Sequence, residues 1–380
     1  MLSTLTLIRQ FPAGLGGAEK YLQLLIQGFS EKQIQINLLC ADYPQESPLN
    51  KIPNLNIIRL DPYRLSQIRW MRPWYFSWLA KNWVQKNSQP LVISLERYWQ
   101  QNLLRAGDGV HAAWLQQRYQ LQNSFLNLFT KLSPFHQLLL WSEKKAYHPQ
   151  NTQRVIANSH LVKKQIVDFL HFPEEHIDVV YNGVDLKPWQ PSYDPWLKKY
   201  LGLTPDCVIA LFVGSGWQRK GLKKATEIVD AWQKQNSRQI KLIVIGKGPE
   251  KRYRHPLVYF SGPKPPSETG RFYQGADLLL FPTYYDPFAN VTLEALASGL
   301  PVITSTHNGA SEILTEGQDG IAFTPEAPTE LWVQAINHFS NPEQRNLTRQ
   351  LCRQKAQQFS LENHLLALIS LCEKVTLSKS

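Results

Sequence analysis

Two adjacent cations lie in a glycine-rich segment in the middle of the chain. Arg219 and Lys220 follow Gly214 and Gly216, directly after the apolar run Val208–Val213. An arginine offers a flat fork of donors and a lysine a compact charge, so the pair could neutralise a pyrophosphate that approaches the glycines. A solvated Arg-Lys pair on the surface is the alternative interpretation.

A second segment places two carboxylates around the start of a predicted helix. Asp286 follows the apolar run Asp277–Phe281, and Glu294 lies about one turn into the next helix. Backbone amides at a helix N-terminus suit a phosphate. The segment could therefore hold a sugar hydroxyl, a phosphate and a ribose in sequence, the phosphate at the amides of Ala289, Asn290 and Val291. A loop aspartate that caps the helix, with a chance glutamate, is the alternative.

A third glycine cluster follows the first apolar run of the chain. Gly16 and Gly17 end the segment Ala13–Gly17, which precedes a helical pattern. Without a Cβ, this loop admits a phosphate or a sugar close to the backbone. The spacing is not G-x-G-x-x-G, so it does not indicate dinucleotide binding, and a tight strand–helix turn is the alternative.

These segments belong to a chain in which short apolar runs alternate with helical patterns. Continuous runs of this length suit strands that are buried on both faces of a parallel sheet. The alternation predicts an α/β protein with two doubly wound, Rossmann-like domains. Prolines and a glycine within 182–195 place the boundary there, giving domains at 1–182 and 183–360 and a C-terminal helix at about 361–380. The predicted strands are Leu2–Ile8, Ile34–Ala41, Leu55–Leu60, Leu91–Leu95, Arg154–Ala157, Asp178–Tyr181, Val208–Val213, Lys241–Ile245, Val258–Phe260, Asp277–Phe281, Pro301–Thr304 and Ile321–Thr324.

Composition limits the class of protein. The 380 residues carry a net charge of +11, which suits an anionic partner: a nucleic acid, a phosphorylated substrate or an anionic membrane surface. No apolar run is long enough to span a membrane, and the N-terminal run does not resemble a secretory signal. The four cysteines lie far apart and predict neither a disulfide framework nor a zinc site, so we expect a reducing, cytoplasmic location.

A basic and aromatic stretch occupies residues 59–86. It contains six Lys or Arg residues and seven aromatic residues against one acid. Rings at headgroup level with cations facing anionic lipid would make an interfacial anchor, for which the candidate residues are Arg69, Arg72, Trp74 and Trp78. A nucleic-acid platform has a similar composition, but no nucleic-acid motif accompanies it and we expect no such partner. A helix that packs its tryptophans on the sheet is the alternative.

Taken together, the motifs resemble retaining glycosyltransferases of family 4. The resemblance rests on D-x₇-E at Asp286 and Glu294, on Gly-Ser-Gly…Arg-Lys-Gly at 214–221 and on Gly-Gly in the first loop. It covers almost the whole chain and is nearest to the lipopolysaccharide core glucosyltransferases that act on inner-core heptose. The family has the GT-B fold, so the resemblance implies two Rossmann-like domains facing each other across a cleft, with the C-terminal helix crossing back to the N-terminal domain.

The resemblance also implies roles for the candidate residues. Arg219 and Lys220 would bind the donor diphosphate near Gly214, and Glu294 the ribose hydroxyls. Asp286 would hold hydroxyls of the donor sugar, and the amides of Asn290 and Val291 would bind phosphate. Gly16 and Gly17 would admit the diphosphate and the sugar. The segment 105–111 aligns with the loop that holds an acidic residue, here Asp108, by the reacting carbon. Asp286 replaces the family's usual Glu and Ala289 a common Gly, and both changes bear on which sugar fits.

The implied reaction moves a hexose from a nucleotide sugar to a membrane-associated glycan, the lipopolysaccharide core. UDP is the family's commoner nucleotide, which makes UDP-glucose the first candidate donor. The sequence has no D-x-D, and Arg219, Lys220 and a helix N-terminus would offset the leaving charge, so we expect no metal and no cofactor. Asp108 or His111 could assist the acceptor hydroxyl, and the family's usual proposal is front-face substitution with retention. We expect peripheral contact with the inner leaflet; the alternatives are another polysaccharide or glycolipid acceptor, or a non-catalytic scaffold that binds nucleotide or lipid.

Overall fold

The computed structural model describes residues 2–12, 17–42, 48–61, 72–121 and 124–377. The chain divides into two compact units: unit 1 comprises Met1–Tyr181 with Glu362–Ser380, and unit 2 comprises Asn182–Leu361. Each unit is an α/β structure built on a parallel sheet.

The strands are β1 (Thr4–Ile8), β2 (Gln35–Cys40), β3 (Leu55–Arg59), β4 (Val92–Ser94), β5 (Gln101–Ala106), β6 (Thr152–Ala157), β7 (Ile177–Val179), β8 (Val208–Val213), β9 (Ile240–Ile245), β10 (Val258–Gly262), β11 (Leu278–Phe281), β12 (Val302–Ser305) and β13 (Gly320–Phe323). The helices are α1 (Gly17–Glu31), α2 (Arg72–Lys86), α3 (His111–Leu121), α4 (Ser124–Leu132), α5 (Pro134–Ala146), α6 (His160–Leu170), α7 (Trp196–Tyr200), α8 (Leu222–Gln235), α9 (Pro266–Gly275), α10 (Asn290–Ala297), α11 (Thr329–Phe339), α12 (Arg345–Gln358) and α13 (Leu361–Leu377).

The described strands of unit 1 form a seven-stranded sheet in the order β3-β2-β1-β4-β5-β6-β7. The chain moves outward from β1 to β3, then returns to the other side of β1 with β4. The strand order therefore reverses between β1 and β4, and the carboxyl ends of these two strands flank the switch point at which α/β sheets bind ligands.

Unit 2 repeats this arrangement with six strands in the order β10-β9-β8-β11-β12-β13. Every residue of the central strand β8 is buried, as expected for a strand covered on both faces. Its switch point lies between β8 and β11, which pair in parallel. The two doubly wound sheets confirm the predicted fold class. Among the described strands only β5 was absent from the predicted set.

The aromatic helix α2 divides its rings between two environments. Phe76 and Ala80 are buried against Ile8 and Leu39 of the sheet, and Trp83 packs against the same cluster. The packing alternative is therefore correct for this face of α2. Trp78 lies outside the cluster and is 50% exposed.

The C-terminal helix α13 packs on α1 of unit 1, as the fold prediction expected. Leu365 occupies the space that a side chain at Gly28 would need, since a Cβ there would lie 2.2 Å from a Leu365 methyl. The Tyr21 hydroxyl and His364 Nε2 are 2.8 Å apart. All four cysteines are unpaired and buried. Among the described helices, none combines the length and the apolar character needed to cross a bilayer.

Candidate functional site

The candidate site of unit 2 forms where β8 and β11 end. The loop after β8 carries Arg219 and Lys220, and the loop after β11 carries Asp286 and leads into α10. Because β8 and β11 are adjacent and parallel, both loops leave the same edge of the sheet at its switch point. Segments that are about 70 residues apart in sequence thereby meet.

Arg219 joins these two loops. Its Nη1 donates to the Tyr285 carbonyl at 2.6 Å and lies 3.3 Å from Asp286 Oδ2. Its own carbonyl accepts from the Tyr284 amide at 2.9 Å and from Thr283 Oγ1 at 3.1 Å. The guanidinium is about one-third exposed, so its other donors can face a ligand while the backbone fixes its position.

Lys220 folds back over the first glycine of its loop. Gly214 has φ +132°, and a Cβ there would lie 2.4 Å from Lys220 Nζ. The ammonium also lies 5.2 Å from the centre of the Phe281 ring. Burial lowers the pKa of Lys220, Asp286 opposes this shift, and Arg219 adds to it. Among the described residues no carboxylate lies within ion-pair distance of this ammonium, so an anionic ligand would stabilise it.

Glu294, on α10, is held in place by a buried phenol. The Tyr273 hydroxyl donates to Glu294 Oε2 at 3.0 Å. Tyr273 is completely buried, and burial with the nearby Glu294 charge raises its pKa well above the usual value. The phenol therefore remains a donor and orients the carboxylate, which is partly exposed on α10.

The first turn of α10 offers fewer amides than the sequence indicated. The Ala289 amide donates to Asn308 Oδ1 at 3.0 Å, and the same oxygen accepts from the Ala310 amide. The Ala289 amide is therefore already hydrogen-bonded in this conformation. The amides of Asn290 and Val291 follow it in the first helical turn, where the helix itself provides no acceptor.

In unit 1, a buried carboxylate positions the start of α3. Glu143 accepts from the His111 amide at 2.7 Å and from the Ala112 amide at 3.2 Å. Arg97 Nε donates to the same carboxylate at 2.8 Å, and Arg97 also donates to the Gly109 carbonyl. The helix start and an arginine thus neutralise a carboxylate that has no exposed surface.

This framework positions the two predicted residues of the unit 1 loop differently. Asp108 lies in the turn after β5 and is exposed. The His111 ring is half-buried, with Nε2 3.1 Å from His136 Nδ1. Burial, with Arg97 and His136 adding, lowers the pKa of His111 to about 4. Its imidazole is therefore neutral at pH 7 and is a weak base, whereas Asp108 is open to solvent.

Sequence reasoning missed an ion-pair cluster at the switch point of unit 1. Arg9, directly after β1, has Nη2 2.9 Å from Glu19 and Nη1 2.9 Å from Glu96, which follows β4. Glu96 also accepts from the Gln10 amide at 3.0 Å. The available signal in the sequence was a charged residue directly after each of two apolar runs. It becomes informative only once β1 and β4 are known to be neighbours.

The remaining predicted residues are distributed as follows. Gly16 and Arg69 lie outside the described residues, Gly17 begins α1 and Arg72 begins α2. Trp74 and Trp78 line a groove of unit 1. The structure brings together, within unit 2, the loop and helix residues Gly214, Arg219, Lys220, Asp286, Asn290, Val291 and Glu294. Asp108 and His111 belong to unit 1.

Two protein-family models match two successive parts of the chain. Residues 15–188 match the model described as Glycosyltransferase Family 4, and residues 208–341 match Glycosyl transferases group 1. A D-inositol 3-phosphate glycosyltransferase of Corynebacterium kroppenstedtii is 26% identical over 215 residues, which cover 52% of this chain and 48% of that protein. The chain spans about half the length of the curated relatives it matches.

Solved structures match over nearly the whole chain. WaaG, a glycosyltransferase involved in lipopolysaccharide biosynthesis, superimposes with a TM-score of 0.76 at 14% identity, covering 97% of this chain and 99% of that one. Anabaena HepE, in complex with UDP and glucose, has a TM-score of 0.67 at 17% identity, covering 98% of this chain and 100% of that one. These likenesses show the fold, and the two family models account for most of the sequence. The chain therefore belongs to the glycosyltransferases, with a family 4 domain followed by a group 1 domain on the GT-B fold.

Proposed function

We propose that this protein transfers a hexose from a UDP-linked sugar to a membrane-associated glycan, the lipopolysaccharide core. The observation that carries the proposal is the pair Arg219 and Lys220 at the switch point of unit 2, beside Asp286 and Glu294. Similarity to a protein that binds UDP and glucose and to one involved in lipopolysaccharide biosynthesis supports the choice of donor and acceptor.

The site residues suit the parts of a nucleotide sugar. The desolvated Lys220 ammonium and the fixed Arg219 fork would bind the diphosphate, together with the Asn290 and Val291 amides. Glu294, oriented by its buried phenol, would accept from the ribose hydroxyls. Asp286 would bind hydroxyls of the donor sugar.

The proposed chemistry is retaining and uses no metal. As the sugar leaves, negative charge develops on the departing diphosphate. Arg219 and Lys220 are already in place beside it and need no reorganisation, which is the condition for strong electrostatic stabilisation. Asp108, exposed after β5, would lie beside the reacting carbon and assist the acceptor hydroxyl, with the neutral His111 as the alternative.

The proposal includes peripheral contact with the inner leaflet on the cytoplasmic side. Support comes from α2, whose sequence has three Lys or Arg residues and no acid. Its half-exposed Trp78 is available to enter the headgroup region. Liposome flotation with Trp78→Ala and Arg72→Ala tests this part, and unchanged binding of the double variant would refute it.

A second acceptor class is favoured by a specific observation. The curated relatives include D-inositol 3-phosphate glycosyltransferases, which match about half of this chain. A family 4 transferase that acts on a different glycolipid or polyol-phosphate acceptor is therefore the second candidate function.

The decisive experiment is a panel of nucleotide sugars in a thermal-shift assay, followed by donor hydrolysis without acceptor. A donor that binds the folded state raises Tm by mass action. We expect UDP-glucose to raise Tm and to be hydrolysed slowly, and we expect both effects to be weaker in Lys220→Met. If a donor binds but is neither hydrolysed nor transferred to any offered acceptor, a non-catalytic scaffold is favoured and the proposal is overturned.

A further inference from the structure

An aromatic groove lies on unit 1 between α2 and α5. Its volume is about 660 Å³, within the range of small-molecule sites. Its walls are formed by Trp74, Tyr75, Trp78, Trp99, Leu138 and Trp141. The Trp99 and Trp141 rings meet edge to face at 5.3 Å between centroids, and Tyr75 stacks on Trp78 at 6.3 Å. None of these residues belongs to the site described in unit 2.

The lining matches a hydrocarbon better than a sugar. Among the described residues of the lining, ring faces and the Leu138 methyl groups dominate the walls, and Lys145 is the one charged group. A carbohydrate needs several hydrogen-bonding side chains to replace its water shell, because unpaired hydroxyls are costly to bury. An alkyl chain needs only apolar contact, which indole faces provide over a large area.

The single lysine indicates that the occupant carries an anion. Lys145 Nζ lies 3.8 Å from the centre of the Trp99 ring and 4.9 Å from that of Trp141. Desolvation, with the charge of Lys81 adding, lowers the pKa of Lys145. A phosphate at this end of the groove would offset both effects. The combination of a ring-lined groove and one ammonium therefore fits an amphiphile with an anionic head.

The surroundings of the groove indicate where such an amphiphile would come from. Large apolar side chains on α2, α4 and α5 are about half or more exposed: Trp78, Leu128, Phe129, Leu132 and Trp141. The sequences of α2 and α4 contain lysines and no acid, and the single acid of α5, Glu143, is fully buried in its pair with Arg97. Exposed apolar residues with unopposed cations favour an anionic lipid surface.

We propose that this groove holds one hydrocarbon chain of an anionic membrane lipid, with the lipid phosphate against Lys145. The assignment rests on the proposed action at a membrane and specifies which part of the lipid the protein binds. It differs from a flat interfacial anchor because one chain of a single lipid would lie along the open, ring-lined groove.

Monomeric alkyl phosphates with chains of six to twelve carbons test the assignment, with tryptophan fluorescence and calorimetry as readouts. Each added methylene should tighten Kd about fourfold until the groove is filled. Lys145→Met keeps the apolar stem and removes the charge. It should weaken alkyl phosphate binding at least about tenfold and leave a neutral alkyl glycoside of equal chain length unaffected.

Two further variants make the test specific. Leu138→Arg places a charge in the wall and should abolish binding of the longest alkyl phosphate. Tyr200→Ala removes an exposed ring of unit 2 and should leave binding unchanged. Circular dichroism establishes that each variant is folded, and Lys145→Met still decides the question if Leu138→Arg does not fold.

The outcomes separate this inference from the proposed function. Affinity that does not depend on chain length, or binding only to anionic vesicles and never to monomers, would overturn the groove assignment. Binding of a sugar phosphate that has no alkyl chain would assign the groove to carbohydrate and overturn the lipid assignment. The Tm shift with UDP-glucose reports on unit 2 separately, so a failed proposed function would appear there while alkyl phosphate binding persists.

Discussion

Replacing Lys220 by methionine isolates the contribution of one preorganised charge. The substitution keeps the length and the apolar stem of the side chain, so the contact with the Phe281 ring can persist. The ammonium that lies over Gly214 is lost. We expect kcat for sugar transfer to fall by about 100- to 1,000-fold, which corresponds to about 2.7–4 kcal/mol of transition-state stabilisation.

The size of this effect follows from where the ammonium is held. Two unit charges about 4 Å apart interact by roughly 4 kcal/mol at an effective dielectric constant near 20, against about 1 kcal/mol in water. Lys220 is substantially desolvated, as its lowered pKa indicates, so the larger value applies. Arg219 remains in the variant, which is why the loss should stop well short of complete inactivity.

The thermal stability of Lys220→Met, unlike its kcat, should not fall. Because burial lowers the pKa of Lys220, the fold disfavours the charged form, and this cost is full at low pH and disappears as pH rises towards the unfolded pKa near 10.5. Lys220→Met should therefore keep or raise Tm at pH 7 in the absence of donor. Lys223→Met, at a lysine whose side chain is 83% exposed, is the matched control and should change neither quantity.

Single-turnover transfer and thermal unfolding, measured on the same preparations, check both expectations. Turnover of Lys220→Met within threefold of the original protein would remove the lysine from the mechanism. A large fall in Tm would show instead that Lys220 acts mainly in folding, and the kinetic loss would then not be interpretable as charge stabilisation.

Three other outcomes are expected. Glu294→Ala should raise the donor KM at least about tenfold with little change in kcat. Tyr273→Phe removes only the orienting hydrogen bond and should raise the donor KM by a smaller factor. Steady-state kinetics over a series of donor concentrations measures both effects. Arg97→Met leaves the buried Glu143 without its cation and should lower the free energy of unfolding by about 3–5 kcal/mol in urea titrations, whereas an effect below 1 kcal/mol would contradict the pairing. His364 has a pKa lowered to about 4 by burial, so its neutral form stabilises the fold above pH 6.5, and this contribution is lost as pH falls towards 4. The share of His364 in the loss of unfolding free energy between pH 7 and pH 5 should be about 2 kcal/mol, and His364→Gln should be less sensitive to the change by about that amount.

The fold was predictable from the sequence because most strands are continuous apolar runs. The exception, β5, shows the limit of that signal. Gln101 and Asn102 interrupt its apolar pattern, and both find partners in neighbouring strands. Gln101 Nε2 donates to Thr152 Oγ1 at 2.6 Å, and Asn102 Oδ1 accepts from the Val92 amide at 2.8 Å. Polar residues satisfied across a sheet cannot be distinguished from loop residues before the strand order is known.

The residues of the candidate site could be recognised from their types and spacing in the sequence, and not from the contacts that they make in the structure. Glycines and cations close together in sequence indicate an anion-binding loop by themselves. The partner of Glu294 was not visible, because Tyr273 lies on α9, 21 residues earlier, and reaches Glu294 only through tertiary packing. Likewise, the Ala289 amide is already bonded to Asn308, a residue from a third loop.

The two switch points differ in their electrostatics. In unit 1, Arg9 is nearly buried and is paired with both Glu19 and Glu96, so its charge is compensated twice before any ligand binds. In unit 2, Arg219 contacts one carboxylate, and no carboxylate in the described chain pairs with Lys220. An anion entering unit 1 would have to break ion pairs, whereas one entering unit 2 would meet an ammonium that Asp286 and Glu294 influence only from beyond ion-pair distance. The same α/β topology therefore opposes an anion more at the switch point of unit 1 than at that of unit 2, which is what the proposed diphosphate site of unit 2 requires.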